Sequence, residues 1–351
     1  YGLIQNKRYL SASITKIANP AILLNPLYLV LHIITRTTLG CLTVLKNIKK
    51  LKHYRFIYSV SDFYPDLFPA LLIKFIYPKT KWIAGYYLFA PWPFASDSPY
   101  KGKDFIKGFF YYLMQRPSYW LVRSLADYVF VTSEPDVNKF ITPNRLRQKI
   151  IVVRGGVDTT PSERYFKSQK IKAISTRKYD ACFMGRFHQQ KGVWGLIDIW
   201  REVVKNKPNA KLLMIGNGGL KSSVKEKIKK LKLGQSIRLR GFLDGDQKFR
   251  QFLKCKIVVH PATYDSGGMA AAEAMAWGLP GVSYDLESLK TYYPKGMIKT
   301  PCFNQKMFAS NILKLLKGGK LYHKLSQEAV SLVISHWSWS KRAKEIIKQI
   351  K

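Results

Sequence analysis

The chain has 351 residues, 47% of them hydrophobic, and carries 59 Lys and Arg against 21 Asp and Glu, a formal net charge of +38. That apolar share excludes a disordered chain, and 23 Gly with 17 Pro in no triplet repeat exclude a collagen-like one. The length predicts two domains, and the charge favours anionic partners: phosphates, acidic lipid surfaces or nucleic acid.

In chain order, the start at Tyr1 shows no secretory pattern. Residues 17–35 are free of charge, but Asn19, Pro20, Asn25, Pro26 and His32 interrupt them. This predicts a buried or interfacial helix rather than a membrane span. It continues to lysines at its C-terminal end, where cations suit the helix dipole. Residues 54–60, 81–87, 128–133 and 149–156 read as strands, with helices at 68–77 and 106–126 between them. After an uneven basic stretch at 162–178 the alternation restarts. Strands are predicted at 179–186, 211–218, 235–242, 255–263 and 280–285, and helices at 192–206, 221–234, 244–255 and 267–278. In the helix at 221–234, Val224, Ile228 and Leu231 form one face and solvated lysines the other. Cys41, Cys182, Cys255 and Cys302 stand far apart, so free thiols in a reducing compartment and no metal site are expected.

Buried strands alternating with helices predict an α/β protein of two doubly wound, Rossmann-like domains facing a cleft. The boundaries predicted are 1–160, 161–334 and a last helix at 335–351 anchored by Trp337 and Trp339. Ligands are expected where strands end at their carboxyl side.

Two stretches carry chemistry. In residues 184–192 a strand ends at Gly185, Arg186 and Lys191 follow, and Gly192 opens a helix. Arg offers a planar fork for phosphate oxygens and Lys a point charge; two exposed loop cations would be the plainer explanation. In residues 261–285, Asp265, Ser266, Gly267 and Gly268 turn into a helix beginning at Met269. Such a turn brings backbone amides close to an anion. Asp265 and Glu273 suit hydroxyl groups of a sugar or ribose rather than phosphate; an N-terminal cap and a solvated glutamate are the alternative. Asp244-Gly245-Asp246 allows a divalent-ion pair but reads as a turn with Asp244 as a helix cap.

Together these stretches resemble the retaining, family 4 type of glycosyltransferases with the GT-B fold. The G-R-x-x-x-x-K-G run resembles that family's donor diphosphate site, and D-S-G-G-M-A-A-A-E its acidic-x7-Glu signature, with Asp265 where Glu is usual. The GNGG run at 216–219 and residues 278–290 follow in the same order. The resemblance implies sugar transfer from a nucleotide-diphosphate sugar to a glycan or lipid-linked acceptor with retained anomeric configuration. It gives Arg186, Lys191 and Asp265 catalytic roles. Gly185, Asn217, Phe242, Ser266, Gly267, Gly268, Met269 and Glu273 join them in donor binding, with His188 in the same loop. No metal or cofactor is expected. The family commonly has a His after the strand at 81–87; Tyr86 and Tyr87 stand there instead, and a phenol does not replace imidazole as a base near neutral pH. The glycine-rich loop after the family's first strand is not visible, and residues 1–10 read as what is left of it in a shortened chain. The implied location is cytoplasmic, peripheral at the inner face of a membrane. The competing readings are a non-catalytic GT-B relative that binds nucleotide-sugar, and a basic protein binding nucleic acid or membrane.

Overall fold

The computed structural model describes residues 26–95, 98–171, 173–265 and 267–350. Ser266 and the chain before Pro26 lie outside them. The chain divides into one unit of residues 1–153 with 346–351, and a second of residues 154–345.

The first unit opens with α1 (Pro26–Lys46) and the short α2 (Ile48–Leu51), followed by β1 (Phe56–Ser59), α3 (Tyr64–Ile76), β2 (Lys81–Gly85), α4 (Phe105–Leu125), β3 (Tyr128–Val131) and β4 (Ile150–Val152). The four strands form a parallel sheet in the order β1-β2-β3-β4. Leu67, Trp82, Val129 and Phe140 fill one face, and Ile83, Phe130 and Ile151 the other, where Ile346 and Ile350 of the chain's end also pack. Helix α1 runs along α3, and a methyl at Gly40 would meet Pro69 Cγ at 2.8 Å, so the glycine sets how closely the two approach. Among the described side chains of α1 only Val44 is buried, while Tyr28, Leu31, Ile34, Leu39, Leu42 and Leu45 face outward. The helix is therefore not the buried one that the sequence allowed. By length and composition Tyr28–Lys46 is long and apolar enough to cross a membrane.

The second unit contains α5 (Thr160–Ser168), β5 (Tyr179–Met184), α6 (Val193–Asn206), β6 (Leu212–Ile215), α7 (Lys221–Lys230), β7 (Ile237–Gly241), α8 (Gly245–Phe252), β8 (Cys255–His260), α9 (Met269–Met275), β9 (Gly281–Tyr284), β10 (Met297–Thr300), α10 (Gln305–Leu316), α11 (Gly319–His336) and most of α12 (Trp339–Gln349). Its strands are all parallel, in the order β10-β9-β8-β5-β6-β7. Helices cover both faces: α6 and α10 with Trp200 and Phe308 on one, α9 and α11 with Met275 and Val333 on the other. Val224 and Ile228 of α7 are buried as their spacing predicts. Trp337 is buried and stacks on Tyr293, whereas Trp339 is half exposed beside Gly156. All four cysteines are free thiols.

Strand order positions the functional region. From β5 the chain winds outward to β6 and β7, then returns to place β8 on the other side of β5. The connections leaving β5 and β8 thus enter helices on opposite faces, α6 and α9. A crevice opens between two such diverging loops, outside the carboxyl ends of the strands. Both chemistry-bearing stretches lie there.

Candidate functional site

Three strand ends are bound tightly to one another. Gly185 donates to Ile215 O at 3.1 Å, Phe187 to Asn217 O at 2.8 Å, and Thr263 to Gln190 O at 3.0 Å. The loops meet at backbone distance, so side chains are excluded. A methyl at Gly216 would lie 1.9 Å from Gly185 O, and one at Gly192 would lie 1.9 Å from Pro261 O. Gly192 is also left-handed, with φ of 66°. Gly192→Ala combines this overlap with the left-handed penalty of about 1–2 kcal/mol. The variant should therefore unfold at distinctly lower urea concentration than the parent, with an unchanged denaturant slope.

At this junction Lys191 Nζ meets Asp265 Oδ2 at 2.6 Å, and His260 Nε2 lies 3.2 Å from the same oxygen. The other carboxylate oxygen accepts from the amides of Gly267 and Gly268, each at 3.3 Å. The Asp265 carbonyl accepts from Ser288 Oγ at 2.5 Å, and Tyr293 OH donates to Gly268 O at 2.5 Å. Asp265 is 8% exposed. Burial alone would raise its pKa, but His260 and then Lys191 outweigh burial and hold the carboxyl well below the usual range.

Lys191, Asp265, Gly267 and Gly268, expected together, are thus within one hydrogen-bonded group. Arg186 occupies the same loop with its guanidinium exposed and, among the described residues, without an ion pair. His188 caps the turn Gln189–Lys191, with Nδ1 accepting from the Gln190 amide at 3.4 Å. Asn217 spends its side-chain oxygen on the Gly218 amide at 3.0 Å. Met269 begins α9, a helix of only seven residues, and lies against Gly155. Phe242 is 74% exposed just past β7. Glu273, on α9, pairs with the buried Lys248 of α8 at 2.5 Å, and Lys248 also reaches Asp244 at 3.1 Å. Asp244 stands at the N-terminus of α8, and among the described residues no three His, Cys, Asp or Glu side chains cluster as metal ligands.

Sequence reasoning missed the wall behind Asp265. His260, Ser283 and Lys299 are register partners on β8, β9 and β10, forming a polar row across otherwise apolar strands. Lys299 lies 5.3 Å over the Tyr293 ring, and burial, partly opposed by Asp285, pushes its pKa down to about 8. Polar residues at matching positions near the ends of adjacent strands were the available signal.

In the first unit Tyr86 is buried among Phe89, Tyr119 and Phe140, and Tyr87 OH pairs with Tyr58 OH. Burial drives both phenols far above their ordinary pKa. Neither can serve as a base near neutral pH.

Residues 165–331 match the family model described as glycosyl transferases group 1. An uncharacterized glycosyltransferase of Methanocaldococcus jannaschii is 33% identical over 30% of this chain and 25% of its own length. The poly(glycerol-phosphate) alpha-glucosyltransferase of Bacillus subtilis is 26% identical over 45% of this chain and 24% of its own. The chain thus spans about a quarter of the length of these two relatives. Among solved structures, Anabaena HepE in complex with UDP and glucose superposes with a TM-score of 0.66 at 15% identity, covering 88% of this chain and 80% of that one. The chain therefore has the GT-B fold, and most of its second unit matches the group 1 glycosyl transferase model.

Proposed function

We propose that the protein transfers a sugar from a nucleotide-diphosphate sugar to a glycan or lipid-linked acceptor, with retention of anomeric configuration and without a metal. The observation that carries this reading is the meeting of Lys191, Asp265 and the Gly267–Gly268 amides at the switch point of the second sheet. The names of the relatives support it: one forms alpha-glucosides on poly(glycerol-phosphate), and a structural neighbour binds UDP and glucose.

Bond cleavage at the anomeric carbon leaves negative charge on the departing diphosphate. Arg186 and Lys191 stabilise that charge as it develops, the kind of preorganised electrostatics that supplies a large share of catalysis. Asp265 binds sugar hydroxyls, with Lys191 paired to its carboxylate. Glu273 binds the ribose hydroxyls and is oriented by Lys248. Gly185, Asn217, Phe242, Ser266 and Met269 complete the donor contacts, with Phe242 toward the nucleobase. The net charge and the outward apolar face of α1 support work at an anionic membrane surface, in the cytoplasm.

A thermal-shift panel of nucleotide-sugars tests the donor first, since a ligand at a hundred times its Kd stabilises by about 2.7 kcal/mol. One nucleotide-sugar should raise the midpoint well beyond the others, and chelator should leave both shift and turnover unchanged. Product NMR should show the donor's anomeric configuration. A selective shift without transfer to any acceptor would favour the non-catalytic relative, and inverted product would refute retention.

A further inference from the structure

The first unit holds a cavity of about 550 Å³ that the donor chemistry does not use. One wall is a single helical face of α1: Leu29, His32, Ile33 and Arg36 recur at the spacing of one stripe. The facing wall comes from α4, where Phe110, Met114 and Ser118 also share a face, and Phe63 to Asp66 close the end at the start of α3. The walls are largely apolar, but the depth is not. Asp62, Gln115 and Ser118 are all buried, and Gln115 Nε2 bridges Asp62 at 2.8 Å and Leu88 O at 2.7 Å. Ser118 Oγ, on a residue 1% exposed, has no hydrogen-bond partner among the described residues. Burial pushes the Asp62 carboxyl up, partly offset by Gln115. Toward solvent the cavity shows His32, Arg36 and Lys107; Lys107 pairs with Asp104, while Asp66 is bound by Ser61. His32 and Arg36 make no ion pair among the described residues.

We propose that this cavity holds the hydrocarbon chain of a single-chain amphiphile, with its anionic head at His32 and Arg36. Its size falls in the range of small-molecule pockets, and the exposed apolar side chains Phe63 and Ile106 in its lining fit entry from a lipid phase. The proposal rests on the acceptor side of the transferase reading and narrows the acceptor to a lipid.

Dodecyl phosphate, kept below its micellar concentration, is the probe, titrated into the full chain by calorimetry. Saturable binding of one molecule per chain is expected. It should weaken about fifteenfold on shortening to decyl phosphate, because two CH₂ groups are lost and each buried CH₂ contributes about fourfold. Met114→Trp, which fills the cavity, should weaken it at least tenfold. Arg36→Gln should weaken dodecyl phosphate while leaving dodecyl maltoside, the same chain on an uncharged head, unaffected. A diazirine at the chain end should label Leu29–Ile33 or Phe110–Met114 in the unaltered protein, a readout that needs no variant to fold. No saturable binding, full binding by a folded Met114→Trp, labels confined to other faces, or displacement by inorganic phosphate with no chain-length effect would each overturn the proposal. The donor thermal shift of the same preparation is read separately. Its loss with amphiphile binding intact removes the transferase reading, and the converse removes only this cavity's role.

Discussion

Arg186→Ala lowers kcat/KM by about two to three orders of magnitude while leaving unfolding by urea within roughly 0.5 kcal/mol of the parent. The two halves of this expectation have separate origins. The guanidinium is exposed and makes no ion pair among the described residues, so its removal orphans nothing in the folded chain. Its charge nevertheless stands in the loop that leaves β5 and leads to Lys191. Arg186→Lys restores charge but not the planar fork, and should recover only part of the loss. Steady-state kinetics with the donor chosen by thermal shift, paired with urea melts, check both halves. Near-normal turnover in Arg186→Ala would remove this residue from the mechanism.

Lys191→Met behaves differently, because it damages the fold as well as the site. It removes the ammonium that faces a buried carboxylate, and removing one partner of such a pair costs roughly 3–5 kcal/mol. Lys191 is 29% exposed, which places the expected loss at the lower end of that range. The acid limb of the stability curve carries the signature. Asp265 has a folded pKa below its unfolded value, so its contribution is full above the unfolded value near 4. That contribution disappears as pH falls through the folded value. Without Lys191 the folded value rises and the acid limb moves toward neutral pH. Asp265→Asn, which carries no charge at this position, should abolish the difference in that limb between chains with and without the Lys191→Met substitution. Urea melts from pH 7 down to pH 3 measure it; superimposable curves for parent and Lys191→Met would mean that the ion pair contributes nothing.

The core strands were readable because parallel strands covered on both faces carry continuous apolar runs, as in residues 257–259 and 212–215. Their ends read longer than they are, since the glycine-rich turns that follow carry no local stop signal finer than a residue or two. Residues 297–300 were harder: a four-residue strand bearing Lys299 has neither a clean apolar run nor an alternating pattern. At the site, Arg186, Lys191, Asp265 and Glu273 stood out by type and spacing. What local pattern could not reveal was pairing across long separations. Lys191 and Asp265 are 74 residues apart, and the Lys248 partner of Glu273 lies on a different helix. His260 was illegible for the same reason, because a single histidine closing a strand acquires meaning only from the turn that folds back onto it.

The Asp265 contacts have one more consequence. A carboxylate of the protein's own already engages Lys191 and both backbone donors that would greet an incoming anion, so these donors are held by an internal acceptor. Free phosphate or sulfate must compete with a tethered rival and offers that rival nothing in exchange. In the proposed reaction a sugar diphosphate would bring hydroxyl protons to Asp265 while its phosphates would claim Lys191. Discrimination between a mere polyanion and an intact donor is then built into a swap of partners rather than into the shape of the walls.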